Sequence, residues 1–484
     1  MLEPFQGGVL AIDVNRDEFV PDSVAIELIS ESVARQHCVL PVVYDSAKRS
    51  LLVAIADPNN VTIRDALRQE LDQLISIEYR RASVADIKQT LDTCYGRSYS
   101  LEQVLTELHS QHDVGVGGDR HGPATIIRLV DALLQDALVK RASDIHLSPE
   151  VTHVQIRYRI DGVLQIACCL HVRYWPAMLV RIKVLSEMDI AETRLPQDGH
   201  LTRHIHGTPV DFRVASFPVR SGENLVLRVL DKQRGLLSLQ ALCNDQDERK
   251  LKALASKPHG LVLVCGPTGS GKTTTLYAML QSLDAMALNI MTLEDPVEYP
   301  MLNIRQTRVQ GGASFDFAQG VRGVLRQDPD VLLVGEVRDV DSCAMTCRAA
   351  LTGHLVFTST HANDSISAIA RLLELGAQRA TIASVLSGVV SQRLIRKLCT
   401  GCTQGSVACV ICNGTGFNGR LALFECLMPT PDFIAQLVSG ADFPKLHEQA
   451  INDGMVTMLE QAQRYVRNGQ TTESELQRVF GAMH

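Results

Sequence analysis

The sequence lacks several features that would place the chain in a membrane, outside the cell or on nucleic acid. No apolar segment approaches the ~20 residues that a helix needs to cross a bilayer, and the first residues lack the basic-then-apolar layout of a secretory signal. There is no long basic run, no internal repeat of fixed period, and the formal net charge is −7. We therefore expect a soluble cytoplasmic protein that makes no direct contact with nucleic acid and reaches a membrane only through partners.

The composition is that of a globular protein with several domains. The chain has 484 residues, of which 45% are hydrophobic and 21% are charged, and its length favours two to four domains. It holds 13 cysteines without an export signal. This combination predicts reduced thiols or a metal site rather than a disulfide framework.

Changes in hydrophobic pattern suggest the domain boundaries. We expect a small α/β domain at 1–112, with a helix over 20–38, and a glycine-rich flexible linker at 113–123. A helix followed by alternating strands occupies 124–235, and strands alternating with helices occupy 236–484. The strands predicted in this last region are 261–265, 289–293, 331–334 and 355–358, and the tail 421–484 has a helical pattern.

The most specific motif follows the predicted strand 261–265. The chain there reads GPTGSGKT and continues with helical spacing, so GxxxxGK[ST] lies between a strand and a helix, as a P-loop requires. The glycines let backbone N–H groups and the helix N-terminus converge on phosphate oxygens, with Lys272 on the β- and γ-phosphates and the Thr273 hydroxyl on Mg²⁺. The nucleotide-binding residues predicted are Gly266, Pro267, Thr268, Gly269, Ser270, Gly271, Lys272, Thr273 and Thr274.

Two further strands end in carboxylates. The apolar stretch 328–336 ends at Glu336 in the manner of a Walker B segment, where a carboxylate polarises the attacking water or holds the Mg²⁺ hydration shell. A second cluster contains Glu294, Asp295 and Glu298, whose charges repel one another unless a cation or ligand lies nearby. Glu298 is the second candidate for water activation, and Glu294 and Asp295 are candidates for sensing the nucleotide. An exposed acidic loop is the alternative.

Histidines and arginines supply further candidates. His354 and His361 flank the strand 355–358, and we predict that both sense the γ-phosphate, although a lone histidine is usually structural. Phosphoryl transfer gains from a guanidinium at the developing charge, often from a neighbouring subunit. Within the P-loop domain the candidates are Arg322 and Arg326, and in the preceding domain they are Arg213 and Arg228. The sequence alone does not choose between the two pairs.

Four cysteines form two CxxC pairs between residues 399 and 412. Thiolates at this spacing close a tetrahedral site, and Zn²⁺ is the expected occupant in a reducing compartment. A redox pair is the alternative, but a single CxxC would serve that purpose. The predicted zinc ligands, within a knuckle spanning 396–420, are Cys399, Cys402, Cys409 and Cys412.

Taken together, these motifs resemble those of the secretion-traffic ATPases that drive type II secretion and type IV pilus assembly. The resemblance spans about 124–428, and residues 21–95 more loosely resemble that family's N-terminal domain. The segments that carry it are, in order, RASDIHL, LPQDG, DFRVAS, GPTGSGKTTTLYA, TLEDPVEY, LRQDPDVLLVGEVRD, LTGHLVFTSTHAND and the CxxC pairs followed by NGTGFNGR.

The resemblance implies an α/β fold class. A P-loop, RecA-like ATPase core would follow a PAS-like α/β domain and a small N-terminal α/β domain, and would carry a zinc knuckle. It also implies a homo-hexamer that uses ATP, Mg²⁺ and Zn²⁺ and hydrolyses ATP at subunit boundaries. Glu294 to Glu298 match the family's aspartate box, and His354 and His361 match its histidine box. In that family arginines of the second domain reach the phosphates, which favours Arg213 and Arg228.

The implied partners are membrane proteins. A polytopic inner-membrane platform protein would be turned by the ring, and the cytoplasmic domain of a membrane-anchored assembly protein would bind residues 1–112. The knuckle and N-terminal domain favour the assembly or secretion type over the retraction type. Two departures stand out: His200 follows QDG where the family usually has arginine, and the zinc insertion is short. The glycine-leucine repeat that binds cyclic di-GMP in some relatives is not found, so that ligand is not predicted.

Two other functions remain open on the sequence. One is a motor for a DNA-uptake pilus or conjugation, against which the low basicity counts modestly. The other is an interaction scaffold that binds ATP but hydrolyses little. Hydrolysis and output that fail together would favour a motor over such a scaffold.

Overall fold

The computed structural model describes residues 21–46, 48–71, 75–94, 101–110, 123–205, 208–230, 237–309, 315–402, 409 and 411–481. It divides into two compact units, Met1–Leu230 and Asp231–His484, which are considered separately below. The linker expected at 113–123 lies outside the described residues except for Pro123, which begins a helix. Among the described residues, none of the helices combines the length and apolar character that crossing a bilayer requires.

The first unit begins with a small α/β sheet. Its elements are α1 (Ser23–Glu27), α2 (Glu31–Gln36), β1 (Val39–Asp45), β2 (Ser50–Ile55), α3 (Val61–Glu70), β3 (Ser76–Arg81) and α4 (Val84–Cys94). The sheet order is β1-β2-β3, with β2 antiparallel to β1 and parallel to β3. The single helix expected over 20–38 is in fact two, because Ser30 adopts an extended conformation as the N-cap of α2.

The rest of the first unit is an antiparallel sheet covered by helices on one face. Its elements are α5 (Leu101–Ser110), α6 (Pro123–Val139), β4 (Asp144–Pro149), β5 (His153–Ile160), β6 (Val163–His171), α7 (Trp175–Leu185), β7 (Gln197–Ile205), β8 (Thr208–Val219) and β9 (Gly222–Leu230). The strand order is β6-β5-β4-β9-β8-β7. Alternate residues of β5 are buried, so one face packs on α6 and α7 while the opposite face carries polar side chains.

The second unit is built on a mostly parallel sheet. Its elements up to the last strand are α8 (Leu239–Leu242), α9 (Asp245–Ala255), β10 (Gly260–Cys265), α10 (Lys272–Gln281), β11 (Ile290–Glu294), β12 (Arg305–Arg308), α11 (Phe317–Val324), β13 (Val331–Val334), α12 (Val340–Leu351), β14 (Leu355–Thr360), α13 (Ser365–Glu374), α14 (Arg379–Val385), β15 (Leu386–Leu398) and β16 (Phe417–Leu427). The order is β12-β11-β13-β14-β10-β15-β16, and β16 is antiparallel to β15.

The centre of this sheet is buried on both faces. Every residue of β10, β13 and β14 is buried, and alternate residues of β10 enter two separate hydrophobic cores. Continuous apolar runs of this kind are typical of parallel strands covered by helices on both sides. The predicted strands at 261–265, 289–293, 331–334 and 355–358 are thereby confirmed within one or two residues.

The prediction for the C-terminal tail was partly wrong. Residues 421–427 belong to β16 rather than to a helix, and the remainder forms α15 (Pro431–Ser439), α16 (Phe443–Asn452), α17 (Met458–Arg467) and α18 (Glu473–Phe480). Neither β15 nor β12 was predicted. β15 carries glutamine and several basic residues, and its strand conformation depends on pairing with β10 and β16, which are distant in sequence.

A buried ion pair attaches α18 to the end of β15 that lies next to the loop of the β15–β16 hairpin. Glu475 is fully buried and accepts hydrogen bonds from Arg396 Nε at 2.9 Å and Arg478 Nε at 2.8 Å. Burial alone would raise the pKa of the Glu475 carboxyl, but the hydrogen bonds from Arg478 and Arg396 outweigh it and lower the pKa to about 2. Beside it, the Leu398 backbone N–H donates to the Gln470 carbonyl at 2.8 Å.

The depressed pKa of Glu475 predicts acid sensitivity of this contact. The stabilisation is complete above the unfolded-state value of about 4.5 and is lost as the pH falls toward about 2, in total about 3 kcal/mol. Glu475→Gln should remove this pH dependence and lower the free energy of unfolding at neutral pH. Hydrogen exchange of α18 between pH 6 and 3 measures both effects. The control Glu473→Gln changes an exposed glutamate on the same helix, and an equal effect there would contradict the assignment.

Candidate functional site

The predicted phosphate-binding groups meet at one edge of the parallel sheet. The loop 266–271 follows β10, Asp295 follows β11, Glu336 lies two residues after β13, and His361 directly follows β14. These strands are parallel neighbours, so their carboxyl ends share an edge, where α/β proteins bind ligands.

The backbone of the P-loop requires its glycines. Gly269 and Gly271 have φ values of 79° and 91°, and a Cβ at Gly266 would collide with the Gln392 carbonyl oxygen. Gly271 is the N-cap of α10, so the first N–H groups of that helix face the loop. The buried Ser270 Oγ has no hydrogen-bond partner among the described residues. A loop that offers this hydroxyl and the N-terminus of α10 suits the phosphates of a nucleotide.

Lys272 lies over this loop. Its Nζ donates to the Gly266 carbonyl at 2.8 Å and to the Pro267 carbonyl at 3.3 Å. Burial lowers the pKa of the Lys272 ammonium, and the negative charge of Glu336 opposes this shift. The Glu336 carboxylate is therefore near enough to stabilise the charged form of Lys272.

The side chains of Arg338 and His361 hold the Glu336 carboxylate. Arg338 Nε donates to Glu336 Oε1 at 2.6 Å, and His361 Nε2 lies 3.5 Å from Oε2. Arg338 also lies 3.9 Å from Asp295, and its hydrogen bond to Glu336 raises the pKa of the guanidinium. Arg338 was not among the residues predicted from the sequence, although its place two residues after Glu336 was a usable signal. A carboxylate fixed from two sides has a defined orientation for a water molecule.

The Glu294 carboxylate is hydrogen-bonded by other side chains of the second unit. Its side chain is buried and accepts hydrogen bonds from the Tyr277 hydroxyl, from Thr292 Oγ1 at 2.6 Å and from Gln306 Nε2 at 3.2 Å. The same Tyr277 oxygen accepts the backbone N–H of Glu298 at 3.3 Å. The alternative of an exposed acidic loop is therefore wrong for Glu294, which anchors this loop. The sensing role predicted for Glu294 would act through the position of the loop.

The two histidines flank β14, as predicted, and therefore lie at opposite ends of that strand. His354 precedes β14, where its backbone carbonyl accepts the N–H of Gly260, the first residue of β10. Its Nδ1 lies 2.9 Å from the Ala349 carbonyl and 3.1 Å from Thr352 Oγ1, which ties it to the end of α12. His354 thus lies at the amino edge of the sheet, and only His361 remains a candidate sensor at the chain's own P-loop.

Arg322 and Arg326 also lie away from the phosphate edge. Arg322 is exposed in the last turn of α11, which runs back toward the start of β13, and Arg326 follows that helix. Asn289, just before β11, donates to the carbonyl of the adjacent Gln327 at 2.8 Å, which places this segment at the amino edge. A role for either arginine at the P-loop of its own chain is therefore not supported.

In the first unit, Arg213 and Arg228 belong to a row of side chains across four strands. Arg228 is directly opposite both Arg213 and Asp144, and Arg213 is directly opposite His200. Directly opposed residues project from the same face of an antiparallel sheet. Asp144 accepts a hydrogen bond from Arg228 Nε at 3.1 Å, and Arg159 Nε lies 3.6 Å from its other oxygen. The row therefore places the Arg213 and Arg228 guanidinium groups on one face of the sheet, with Arg228 exposed at its centre.

The four predicted zinc ligands converge. All four Sγ atoms of Cys399, Cys402, Cys409 and Cys412 lie within 4.8 Å of one another, with two of the separations at 3.8 and 3.6 Å. A tetrahedral site with Zn–S bonds of about 2.3 Å requires sulfur separations of about 3.8 Å. The backbone N–H groups of Gly401 and Gly416 each donate to a sulfur at 3.4 Å. The cluster fits a structural Zn²⁺ held at the tip of the β15–β16 hairpin.

Comparison with protein families matches almost the whole chain. The family described as type II/IV secretion system protein matches residues 119–478, and the MshEN domain matches residues 4–100. The type II secretion system protein HxcR of Pseudomonas aeruginosa is 43% identical, with 86% of this chain and 89% of that protein covered. The type IV pilus assembly ATPase PilB of Myxococcus xanthus is 35% identical, with 97% and 89% covered.

Solved structures share the fold. The ATPase DotB of Legionella pneumophila superposes with a TM-score of 0.57 at 20% identity, covering 75% of this chain and 97% of DotB. The pilus retraction motor PilT, solved with bound ADP, superposes with a TM-score of 0.51 at 26% identity, covering 72% and 95%. The P-loop, the carboxylate edge and the cysteine cluster all lie within residues 119–478, which the secretion family matches. The chain therefore belongs to the type II/IV secretion system protein family and is an ATP-hydrolysing enzyme.

Proposed function

We propose that this protein is a hexameric ATPase that converts ATP hydrolysis into mechanical work for type II secretion or type IV pilus assembly. The observation that carries the proposal is the convergence of the P-loop, Glu336 and His361 on one edge of the sheet. The similarity to HxcR and to PilB supports both pathways, and the partner proteins would decide between secretion and pilus assembly.

The proposed chemistry relies on position and electrostatics rather than on a covalent intermediate. The loop N–H groups and Lys272 bind the β- and γ-phosphates, and the Thr273 hydroxyl would ligate Mg²⁺, which neutralises charge on the phosphate oxygens. Glu336 orients the attacking water and accepts its proton, while Arg338 and His361 fix the carboxylate. Glu298 remains the second candidate for water activation.

The arginine pair of the first unit suggests where a neighbouring subunit contributes. Arg213 and Arg228 lie directly opposite each other on adjacent strands, and Arg228 is exposed on that face. Two neighbouring guanidinium groups suit the phosphate oxygens of a triphosphate bound to another subunit. We therefore assign Arg213 and Arg228 to the phosphates at a subunit boundary. His200 lies in the same row, opposite Arg213.

The remaining proposals concern partners and location. Residues 1–112 would bind the cytoplasmic domain of a membrane-anchored assembly protein, and the ring would act on a polytopic inner-membrane platform protein. The protein would then work in the cytoplasm at the inner face of that membrane. The tetracysteine cluster would hold Zn²⁺ as a structural ion with no part in hydrolysis.

Mixing two inactive variants tests the subunit boundary. Arg228→Ala should lower kcat by about 100-fold or more, because a guanidinium at the transition state is worth at least that much. Arg228→Ala chains supply an intact P-loop and Glu336→Gln chains supply an intact arginine, so mixed rings should regain activity. ATP turnover measured against mixing ratio gives the result. The control is Arg220→Ala, at the exposed β8–β9 turn, which should leave turnover unchanged. Mixtures that stay inactive would contradict catalysis in trans.

A further inference from the structure

One residue of the β15–β16 hairpin lies against three points of the phosphate-binding loop. Gln392 is 1% exposed, and its Oε1 accepts the hydroxyl of Thr275, in the first turn of α10, at 2.8 Å. Its backbone oxygen lies against Gly266, and its amide nitrogen lies 2.8 Å from where a Cβ of Gly271 would be. β15 therefore packs directly against the P-loop and the first turn of α10.

A second residue of the hairpin holds the loop that carries His361. Glu425 on β16 is 3% exposed, and its carboxylate accepts the backbone N–H of Ser365, the first residue of α13, at 2.9 Å. The Ser365 hydroxyl donates in return to the Glu425 carbonyl at 3.1 Å. Negative charge at a helix N-terminus is stabilised by the helix dipole. The loop between His361 and α13 is thus attached to the hairpin through a buried pair of hydrogen bonds.

We propose that Gln392 and Glu425 are positioning residues for ATP hydrolysis. Gln392 fixes the phosphate-binding loop through Thr275, and Glu425 fixes the His361 loop that meets the water-activating carboxylate. Neither residue lies in a phosphate-binding motif, and neither side chain has access to a nucleotide from its buried place below the loops. The inference rests on ATP hydrolysis at this P-loop.

A double-mutant cycle tests the Gln392 contact. Thr275→Val removes the hydroxyl while keeping the shape, and Gln392→Leu removes its acceptor. Each should raise the Kd for Mg²⁺–ATP about tenfold, since small displacements of a pre-organised loop are costly. The double variant should be no weaker than either single one, because both remove the same hydrogen bond. Thr275→Ser, which keeps the hydroxyl, should retain affinity. Independent, additive losses would overturn the assignment.

A split between kcat and KM tests Glu425. Glu425→Ala should lower kcat about tenfold or more with KM changed less than about twofold, because the phosphate-binding loop stays in place. Glu425→Gln keeps an oxygen that accepts the Ser365 N–H and should retain most of the activity. A rise in KM by the same factor as the fall in kcat would overturn the positioning role.

The matched control is Gln461, a buried glutamine of α17 that contacts the opposite edge of the same hairpin. Gln461 pairs with the backbone N–H of Phe424 at 3.0 Å and with its carbonyl at 2.7 Å, along the outer edge of β16. Gln461→Leu should lower the melting temperature but leave Kd and kcat unchanged. If Gln392→Leu and Glu425→Ala behaved in the same way, the inference would fail. Wild-type turnover in the same assay separates that failure from a failure of ATP hydrolysis itself.

Discussion

Glu336→Gln should reduce ATP turnover by about 10²–10⁴-fold while leaving nucleotide affinity within a few-fold of the wild type. The substitution keeps the shape of the side chain but removes the base that accepts the proton of the attacking water, and general base catalysis is worth that factor. Binding survives because the P-loop N–H groups and Lys272 are untouched. Steady-state turnover and the Kd for Mg²⁺–ATP, measured on the same preparation, give both values.

The matched control for Glu336→Gln is Glu374→Gln. Glu374 ends α13 and pairs with Arg371 on the surface, so the same chemical change there should leave turnover unchanged. In cells, a motor should lose hydrolysis and filament or secretion output together. Output that persists without hydrolysis would contradict the motor and favour a nucleotide-binding scaffold.

Removal of the metal ion should unfold the cysteine-bearing loop of the β15–β16 hairpin while its two strands stay in place. We expect about one zinc per chain, and Cys399→Ser should lose it because three thiolates do not complete the tetrahedral site. Zinc binding contributes on the order of 10 kcal/mol to the folding of small metal sites, so the loop 399–416 should become sensitive to protease. The Arg396–Glu475 pair, next to this loop, still holds the end of β15. Metal content by mass spectrometry and limited proteolysis measure the two effects.

The control for the knuckle is another cysteine-to-serine change. Cys169 is exposed on β6 of the first unit and lies outside the cluster, so Cys169→Ser should keep one zinc per chain. A metal-free Cys399→Ser protein with wild-type protease resistance would contradict a structural zinc. Global unfolding would contradict the local role of the Glu475 contact.

The parts of the site that sequence could predict depend on short-range spacing. The P-loop needs a strand, a defined run of glycines and a helix within about 20 residues, and all three were readable. The two CxxC pairs are likewise close in sequence, so their convergence follows from spacing alone. Glu336 lies two residues after a strand whose buried apolar run is plain, which placed it at the carboxyl edge.

The parts that sequence missed depend on pairing between distant strands. Gln392 reaches the P-loop only because β15 lies beside β10, and nothing local in its sequence marks that neighbour. The alignment of His200, Arg213 and Arg228 depends on the register of three strands. A sensing role for both His354 and His361 was expected, but the buried strand that they flank places them at opposite edges of the sheet.

The identity of the nucleotide retained by Glu336→Gln tests the central claim most directly. The protein is incubated with Mg²⁺–ATP, freed of unbound nucleotide and denatured, and the released nucleotide is separated and quantified. If the loop beginning at Gly266 binds the triphosphate and Glu336 activates the water that cleaves it, the variant should release ATP and the wild type should release ADP. Recovery of only ADP from the variant, or of no nucleotide from either protein, would contradict the account.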